Sequence, residues 1–214
     1  VHKSVASSFV RKFREELENL KLGMPWEEGV NITPLPEENK SNYLSRLKED
    51  AINNGAKLIN PSGGNYSESL FFPAALFTVN EDMNIYHEEQ FGPLIPIVVY
   101  ENIKEALAYV EKSNYGQQVS IFGTNSDTLA KFIDPLANQV CRVNINAQCQ
   151  RGPDNFPFTG RKDSAEGTLS VDDALKVFSI RTVVATKDTE ENKEIISTII
   201  REDKSNFLST DFIF

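Results

Sequence analysis

Residues 88–93 read Glu-Glu-Gln-Phe-Gly-Pro and combine two adjacent carboxylates with an aromatic ring and a bend. Glycine adopts backbone angles that other residues avoid, and proline fixes φ and lacks an N–H donor, so Gly92-Pro93 predicts a fixed turn. A carboxylate held before such a turn can accept two hydrogen bonds at once, as from a sugar diol. Phe91 offers a flat apolar face to a heterocyclic ring. The same residues would also suit an acidic strand end with a phenylalanine in the core.

A second candidate site is basic. Between residues 142 and 162 there are four cationic side chains and one acid, Asp154, in a chain whose formal net charge is −9. Arginine forks match phosphate oxygens bidentately, which favours an anion site. A loop whose charges are simply solvated is the alternative on the residues alone. The four cations are Arg142, Arg151, Arg161 and Lys162.

The two cysteines and two histidines show no metal-ligand spacing, and two cysteines make no disulfide framework. A reducing, cytoplasmic setting is therefore predicted. Cys149 lies between Gln148 and Gln150, neither of which is a base that could activate a thiol. We interpret Cys149 as an inert residue that lines a site, and a catalytic role is the less favoured alternative.

Composition limits the partners. The net charge of −9 argues against nucleic acid and anionic membranes. No apolar stretch approaches the length of a membrane span, and we expect no signal peptide. The chain begins without methionine, in what looks like the end of a strand that leads into a helix. We expect it to be the C-terminal piece of a longer protein.

Helices and strands are predicted to alternate, which is typical of an α/β fold with right-handed βαβ units and a mostly parallel sheet flanked by helices. Ligands would then lie at the carboxyl ends of the strands, and we place the loops of Glu89 and Arg151 there. No Gly-x-Gly-x-x-Gly is present, so the chain is not itself a dinucleotide-binding half. The predicted helices cover residues 4–20, 37–54, 101–113, 127–136 and 188–203, with Ser4 and Ser126 as caps, and the predicted strands cover residues 56–59, 70–79, 94–100, 119–122 and 140–145.

The Glu-x-Phe-Gly-Pro of residues 89–93 resembles a signature of the aldehyde dehydrogenase superfamily. Residues 150–160 are similar to a block of its non-phosphorylating, NADP-dependent glyceraldehyde-3-phosphate dehydrogenases. The resemblance extends over residues 1–184. It implies an N-terminally truncated catalytic (substrate) domain over residues 1–179 and an oligomerisation strand over 180–186. Residues 187–214 are unlike the family and are predicted to be a C-terminal extension. That extension would cover its own domain or form an oligomer contact.

The resemblance also implies residue roles. Glu89 would hold the nicotinamide ribose hydroxyls of NADP (or NAD), and Phe91 would pack beside the nicotinamide. Arg151 would receive the substrate phosphate, with Cys149 and Phe158 lining the substrate site. No catalytic residue and no metal ligand are expected in this chain. Ala165 stands where the family usually has a glycine. Because alanine does not adopt positive φ cheaply, this departure predicts a local loop path different from the family's.

The implied activity is oxidation of glyceraldehyde 3-phosphate to 3-phosphoglycerate through a cysteine thiohemiacetal and thioester, a glycolytic reaction of a cytoplasmic homo-oligomer. The nucleophile, in a Gly-Gln-x-Cys context, would lie before Val1, so the chain alone is expected to be inactive. Two alternatives stay open: an aldehyde dehydrogenase for another aldehyde, and a non-catalytic assembly fragment or pseudoenzyme.

Overall fold

The computed structural model describes residues 1–153, 156–168, 170–180, 182–206 and 208, and its contacts separate into two units, Val1–Leu169 and Ser170–Phe214. In the first unit short strands alternate with helices. The order is α1 (Lys3–Glu18), α2 (Lys40–Asn53), β1 (Lys57–Leu58), β2 (Tyr66–Ser67), β3 (Leu70–Phe71), β4 (Ala74–Phe77), a 3-10 helix (Asn84–Tyr86), β5 (Leu94–Ile97), α3 (Ile103–Lys112), β6 (Tyr115–Gly116), β7 (Gln118–Ile121), α4 (Ser126–Leu136), β8 (Arg142–Ile145) and β9 (Arg161–Lys162). The second unit contains α5 (Val171–Val177) and α6 (Glu190–Arg201).

The first sheet has the order β1-β4-β5, and its central strand is apolar and almost fully buried. β4 and β5 are parallel, with Ala74 opposite Leu94, whereas β1 runs antiparallel to β4. The start of the chain forms an isolated parallel bridge between His2 and Tyr100, three residues beyond the end of β5. The strand end predicted before α1 is thus a single bridge, which is not part of the β1-β4-β5 sheet.

One face of this sheet packs against α2. Leu44, Leu47 and Ala51 recur at helical spacing and join the core formed with β4. The buried Asn60 secures the edge of β4: its Nδ2 donates to the Pro73 carbonyl at 2.7 Å, and its Oδ1 accepts from the Ala75 N–H at 3.1 Å. These bonds satisfy two backbone groups that would otherwise be buried without partners.

The second parallel pair, β7 and β8, alternates polar and apolar residues on both strands. Val119, Ile121 and Val143 belong to a core with α3 and α4. Because successive side chains of a strand point to opposite faces, the polar residues lie on the other face. Those polar residues are Gln118, Ser120, Arg142 and Asn144.

The predicted α/β class is confirmed. The two four-residue pairings, β4 with β5 and β7 with β8, are parallel. The two-residue pairings β1–β4, β2–β3 and β6–β9 are antiparallel. The predicted strand over residues 70–79 is divided in two, since Pro73 has no N–H to offer a ladder. Residues Tyr115-Gly116, which lie between the predicted helix over 101–113 and the predicted strand over 119–122, form β6 and pair with β9.

The N-caps predicted at Ser4 and Ser126 are wrong, because the capping residues lie two residues and one residue earlier. His2 Nδ1 accepts from the Ser4 N–H and caps α1, and Asn125 Oδ1 accepts from the Thr128 N–H at 2.8 Å and caps α4. A cap must precede the first helical residue so that its side chain reaches a free N–H two or three residues ahead. Ser4 and Ser126 are already inside their helices.

In the second unit, α6 confirms the predicted tail helix with slightly narrower bounds. Thr189 caps it, and Arg201 pairs with Glu194 at 3.0 Å. Residues 182–185 form neither helix nor strand, and Arg181 lies outside the described residues. The domain boundaries at residues 179 and 186 stay predictions. None of the helices in the described ranges combines the length and apolar character needed to cross a membrane.

Candidate active site

Residues 88–93 lie between the 3-10 helix and β5 and are held by side chains on both sides. The Tyr43 hydroxyl donates to Glu88 Oε2 at 2.8 Å, and Gln90 Nε2 donates to the Leu94 carbonyl at 2.8 Å. The Ala74 N–H donates to the Pro93 carbonyl at 2.9 Å, which joins the loop to β4. Glu89 and Phe91 remain exposed, and the Phe91 side chain is 73% accessible.

Gly92 serves close packing rather than an unusual backbone angle. A Cβ at this position would lie 2.6 Å from Leu44 Cδ1, so α2 leaves no room for a side chain. The positive φ of the loop belongs instead to Phe91, at 41°. The left-handed conformation is costly for an aromatic residue, and the anchors on either side must maintain it.

Glu89 and Phe91 face a cleft of about 500 Å³ whose opposite wall is rich in tyrosine. Tyr86 and Tyr109 contact edge to face, with ring centroids 4.9 Å apart, and Tyr115 of β6 lines the same cleft. No sequence motif marks these tyrosines, since Tyr109 occupies an ordinary position on α3. Their contribution depends on α3 and β6 lying opposite residues 88–91.

The hydroxyls around this loop stay protonated at neutral pH. Burial, followed by the hydrogen bond to Glu88, raises the pKa of Tyr43 to about 12. Burial also raises the pKa of Tyr109, and burial and then the neighbouring Tyr109 raise the pKa of Tyr86. Protonated phenols can donate hydrogen bonds, so the cleft offers donors beside the carboxylate of Glu89.

Residues 148–152 of the second candidate segment lie against β7 and β8. Cys149 Sγ is hydrogen-bonded to Ser120 Oγ at 3.3 Å. The Arg151 guanidinium packs over the Phe158 ring, 5.1 Å from its centroid, and Arg151 is exposed. The structure thus brings these predicted substrate residues to one segment.

The cleft beside β5 is lined by Glu89 and Phe91 but not by Cys149, Arg151 or Phe158. This cleft therefore contains the cofactor candidates without the substrate candidates.

The predicted location of both groups at the carboxyl ends of the strands is wrong. Glu89 precedes the first residue of β5 and lies near its amino end. After β8 the chain turns back at Asn146, whose φ is 49° and whose side-chain amide exchanges two hydrogen bonds of 2.9 Å with Gly123. Gln150 then bonds to Gln118, the first residue of β7, so Arg151 also lies near the amino ends.

The remaining basic residues have structural partners. Lys162 Nζ donates to three carbonyls at the end of α3, those of Val110, Glu111 and Ser113, at 2.6, 3.1 and 2.8 Å. Arg161 Nε donates to the Val140 carbonyl at 3.3 Å. The charge of Lys162 at the end of α3 also suits the negative end of that helix's dipole.

The loop does not require positive φ at Ala165. Ala165 is not among the described residues with positive φ, and Lys162, at 55°, adopts that conformation instead. Within the described ranges, no group of three or more His, Cys, Asp or Glu residues is arranged to hold a metal ion.

An α/β domain that presents a Glu-x-Phe-Gly-Pro loop to an aromatic cleft defines a class of dehydrogenase domains, and the comparisons with known proteins agree. The chain belongs to the aldehyde dehydrogenase family, which it matches over residues 1–184.

Two related proteins show what this chain is similar to. The NADP-dependent glyceraldehyde-3-phosphate dehydrogenase of Streptococcus equinus is 35% identical over 186 residues, which cover 87% of this chain and 37% of that protein. The lactaldehyde dehydrogenase of Methanococcus maripaludis is 32% identical over 167 residues, covering 78% of this chain and 35% of that protein.

Among solved structures, the NADP-dependent glyceraldehyde-3-phosphate dehydrogenase of Bacillus halodurans, complexed with NADP, superimposes with a TM-score of 0.76 at 36% identity. That match covers 82% of this chain and 36% of that one. The chain therefore spans little more than a third of the length of these relatives.

We predict that Tyr43 is the last tyrosine of the cleft region to ionise. In an alkaline titration followed by absorbance at 295 nm after rapid pH jumps, Tyr43→Phe should lack a component near pH 12. Because the folded-state pKa is raised above the ordinary value of 10.0, the stability that Tyr43 contributes is complete below pH 10 and is lost as pH rises through about 12. Tyr66→Phe, at an exposed tyrosine, is the matched control and should retain the late component. Identical curves for wild type and Tyr43→Phe above pH 11 would contradict the assignment.

Proposed function

We propose that this chain is the catalytic-domain portion of an NADP-dependent aldehyde dehydrogenase that oxidises glyceraldehyde 3-phosphate to 3-phosphoglycerate. The observation that carries the proposal is the exposed Arg151 guanidinium, packed over Phe158 beside a fixed backbone. No described residue is hydrogen-bonded to or ion-paired with that guanidinium, so its donors are available to a phosphate. The names of the relatives from Streptococcus equinus and Bacillus halodurans support this substrate and cofactor.

The cleft beside β5 suits part of a nicotinamide cofactor. Glu89 supplies two carboxylate oxygens that can accept from ribose hydroxyls, and Phe91 supplies an exposed ring for a planar heterocycle. Bound NADP would accept the hydride from the substrate. The chain's own contribution is to orient the cofactor through Glu89, while the anchored loop and the tyrosine wall limit the access of water.

The covalent step needs a thiolate, which adds to the aldehyde carbonyl to give a thiohemiacetal. Hydride loss then gives a thioester, and water releases the acid and returns the thiol. Cys149 is a poor candidate, because it is hydrogen-bonded to Ser120 and no described histidine or carboxylate contacts it.

We therefore propose that the nucleophile belongs to a part of the protein outside this sequence. The purified chain should show no turnover with glyceraldehyde 3-phosphate and either NADP or NAD. Turnover above the blank would contradict this proposal.

For the whole protein we further propose a cytoplasmic, glycolytic enzyme that is a homo-oligomer, with no nucleic-acid or membrane partner. The oligomer is supported by side chains of the second unit that are apolar and largely exposed, among them Phe178, Ile180 and Val183. The net charge of −9 supports the exclusion of nucleic acid.

Another aldehyde is the second candidate substrate, favoured by the 32% identity to the lactaldehyde dehydrogenase of Methanococcus maripaludis. Arg151 separates the two candidates, because an aldehyde without a phosphate has no use for that contact. A non-catalytic assembly fragment is the third interpretation, and the absence of any cofactor-dependent activity in the full-length protein would support it.

The first test of this function is Arg151→Ala in the full-length protein. Charge-assisted Arg–phosphate contacts are worth about 2–4 kcal/mol, so kcat/KM for glyceraldehyde 3-phosphate should fall about 30- to 1000-fold. Plain glyceraldehyde should be affected little. Arg46→Ala, at an exposed arginine of α2, is the control. Equal losses for the two aldehydes would show that Arg151 serves the fold instead of the phosphate.

The second test concerns the cofactor. Glu89→Gln keeps the shape of the side chain but removes one acceptor and the charge, and hydrogen bonds to a charged group are worth about 1.5–3 kcal/mol. The Kd for NADP, measured by fluorescence titration of the full-length protein, should rise about 10- to 100-fold. Glu111→Gln, at an exposed glutamate of α3, should leave it unchanged. Unaltered affinity in Glu89→Gln would mean that this carboxylate is only an acidic strand end.

A further inference from the structure

The polar face of β7 and β8 is covered by the chain's own returning segment, residues 148–152. Cys149 contacts Ser120, and the Gln150 N–H donates to Gln118 Oε1 at 3.1 Å. Both partners are on β7, two residues apart, and so point to the same side of the sheet. The segment that carries Arg151 is therefore attached to a regular strand, which is a more precise support than a free loop.

Arg142 holds the same segment from β8. Its Nη1 donates to the carbonyls of Gln150 at 2.9 Å and Gly152 at 2.8 Å, the residues immediately before and after Arg151. A longer contact of 3.4 Å reaches the carbonyl of Arg151 itself. One guanidinium thus fixes the backbone on both sides of the proposed phosphate-binding residue.

Asn144 closes these contacts into a ring of hydrogen bonds. It is only 6% exposed, its Oδ1 accepts from Arg142 Nε at 2.8 Å, and its Nδ2 lies 3.4 Å from Gln118 Oε1. The ring therefore runs from Arg142 to Asn144, Gln118 and Gln150 and back to Arg142. Linked hydrogen bonds of this kind polarise one another and hold a single geometry better than isolated ones.

Arg142 owes this position to the shape of its side chain. The guanidinium also lies over the Phe156 ring, 5.9 Å from the centroid, and within the described ranges no carboxylate pairs with it. A planar fork with five donors can bond to Asn144 and to two carbonyls at once, whereas the ammonium of lysine is a point charge on a flexible stem. The Arg142 guanidinium therefore donates to the Asn144 side chain and to backbone carbonyls, and none of these acceptors is a group that we propose to bind a ligand.

We propose that Arg142 is a positioning residue for substrate phosphate: it sets the backbone of residues 150–152 so that the Arg151 guanidinium meets the phosphate. This rests on the role proposed for Arg151. Arg142 itself does not contact the substrate. It therefore determines specificity for a phosphorylated aldehyde through Arg151 alone.

The first measurement is independent of activity. Hydrogen exchange of the Gln150 amide in the full-length protein should be at least about tenfold faster in Arg142→Gln, because loss of the guanidinium opens the ring that protects this N–H. Arg142→Lys should restore protection only in part, and Arg46→Gln, at an exposed arginine of α2, should have no effect. Unchanged exchange at Gln150 in Arg142→Gln would overturn the proposal.

The second measurement separates positioning from general stability. In Arg142→Gln, KM for glyceraldehyde 3-phosphate should rise about tenfold with little change in kcat, and the constants for plain glyceraldehyde should stay as they are. The double variant Arg142→Gln/Arg151→Ala should be no worse than Arg151→Ala alone, because a residue that acts through Arg151 has no effect once Arg151 is gone. If Arg142→Gln does not fold, Arg142→Lys replaces it in the cycle.

The outcomes distinguish this proposal from the function on which it rests. A phosphate-selective loss in Arg151→Ala, combined with additive effects in the double variant, overturns the role of Arg142 and leaves the function intact. Equal losses for both aldehydes in Arg142→Gln do the same. No selectivity in Arg151→Ala overturns the function and the positioning role together.

Discussion

The hydrogen bonds from Arg142 to the carbonyls on either side of Arg151 illustrate a constraint on which both candidate sites depend. A loop that presents a side chain to a ligand must still satisfy its own backbone N–H and C=O groups, because leaving them unpaired next to protein is costly. Here neighbouring side chains supply the partners. Gln90, the neighbour of Phe91, donates to the Leu94 carbonyl, just as Gln118 and Arg142 bond to the segment of Arg151.

This constraint also explains the charge distribution. The basic segment of an acidic chain resembles a phosphate site by composition, yet three of its four cations donate to carbonyl oxygens. Arg142 donates to the backbone of residues 150–152, Lys162 donates to carbonyls at the end of α3, and Arg161 donates to the Val140 carbonyl. Only Arg151 has a guanidinium that no described residue bonds. The local charge alone suggests that all four cations could contact a ligand. The hydrogen bonds of the other three to carbonyl oxygens leave Arg151 as the one candidate among the four.

The two candidate surfaces use the same architecture in different sheets. In each case a parallel pair of four-residue strands contributes apolar side chains to a core, and a loop at the amino end carries the exposed residue, Glu89 before β5 and Arg151 beside β7. Short strands suffice because helices cover them: α2 packs on the first pair, and α3 and α4 pack on the second. Both loops lie within residues 1–184, the part of the chain that matches the aldehyde dehydrogenase family.

The amino-acid sequence by itself determined the α/β class, the order of the main helices and strands, and the two segments that carry the candidate residues. These depend on local patterns: apolar periodicity, the polar–apolar alternation of Gln118–Ile121 and Arg142–Ile145, and short motifs. Only the tertiary structure decided the tyrosine wall of the cleft, the pairing of β6 with β9, and the amino-end location of both loops. It also decided the caps at His2 and Asn125, which local propensity assigned to serines. The physical reason is distance along the chain: Arg161 and Gly116, or Gln150 and Gln118, meet only after the intervening helices have packed, and no local pattern records that contact.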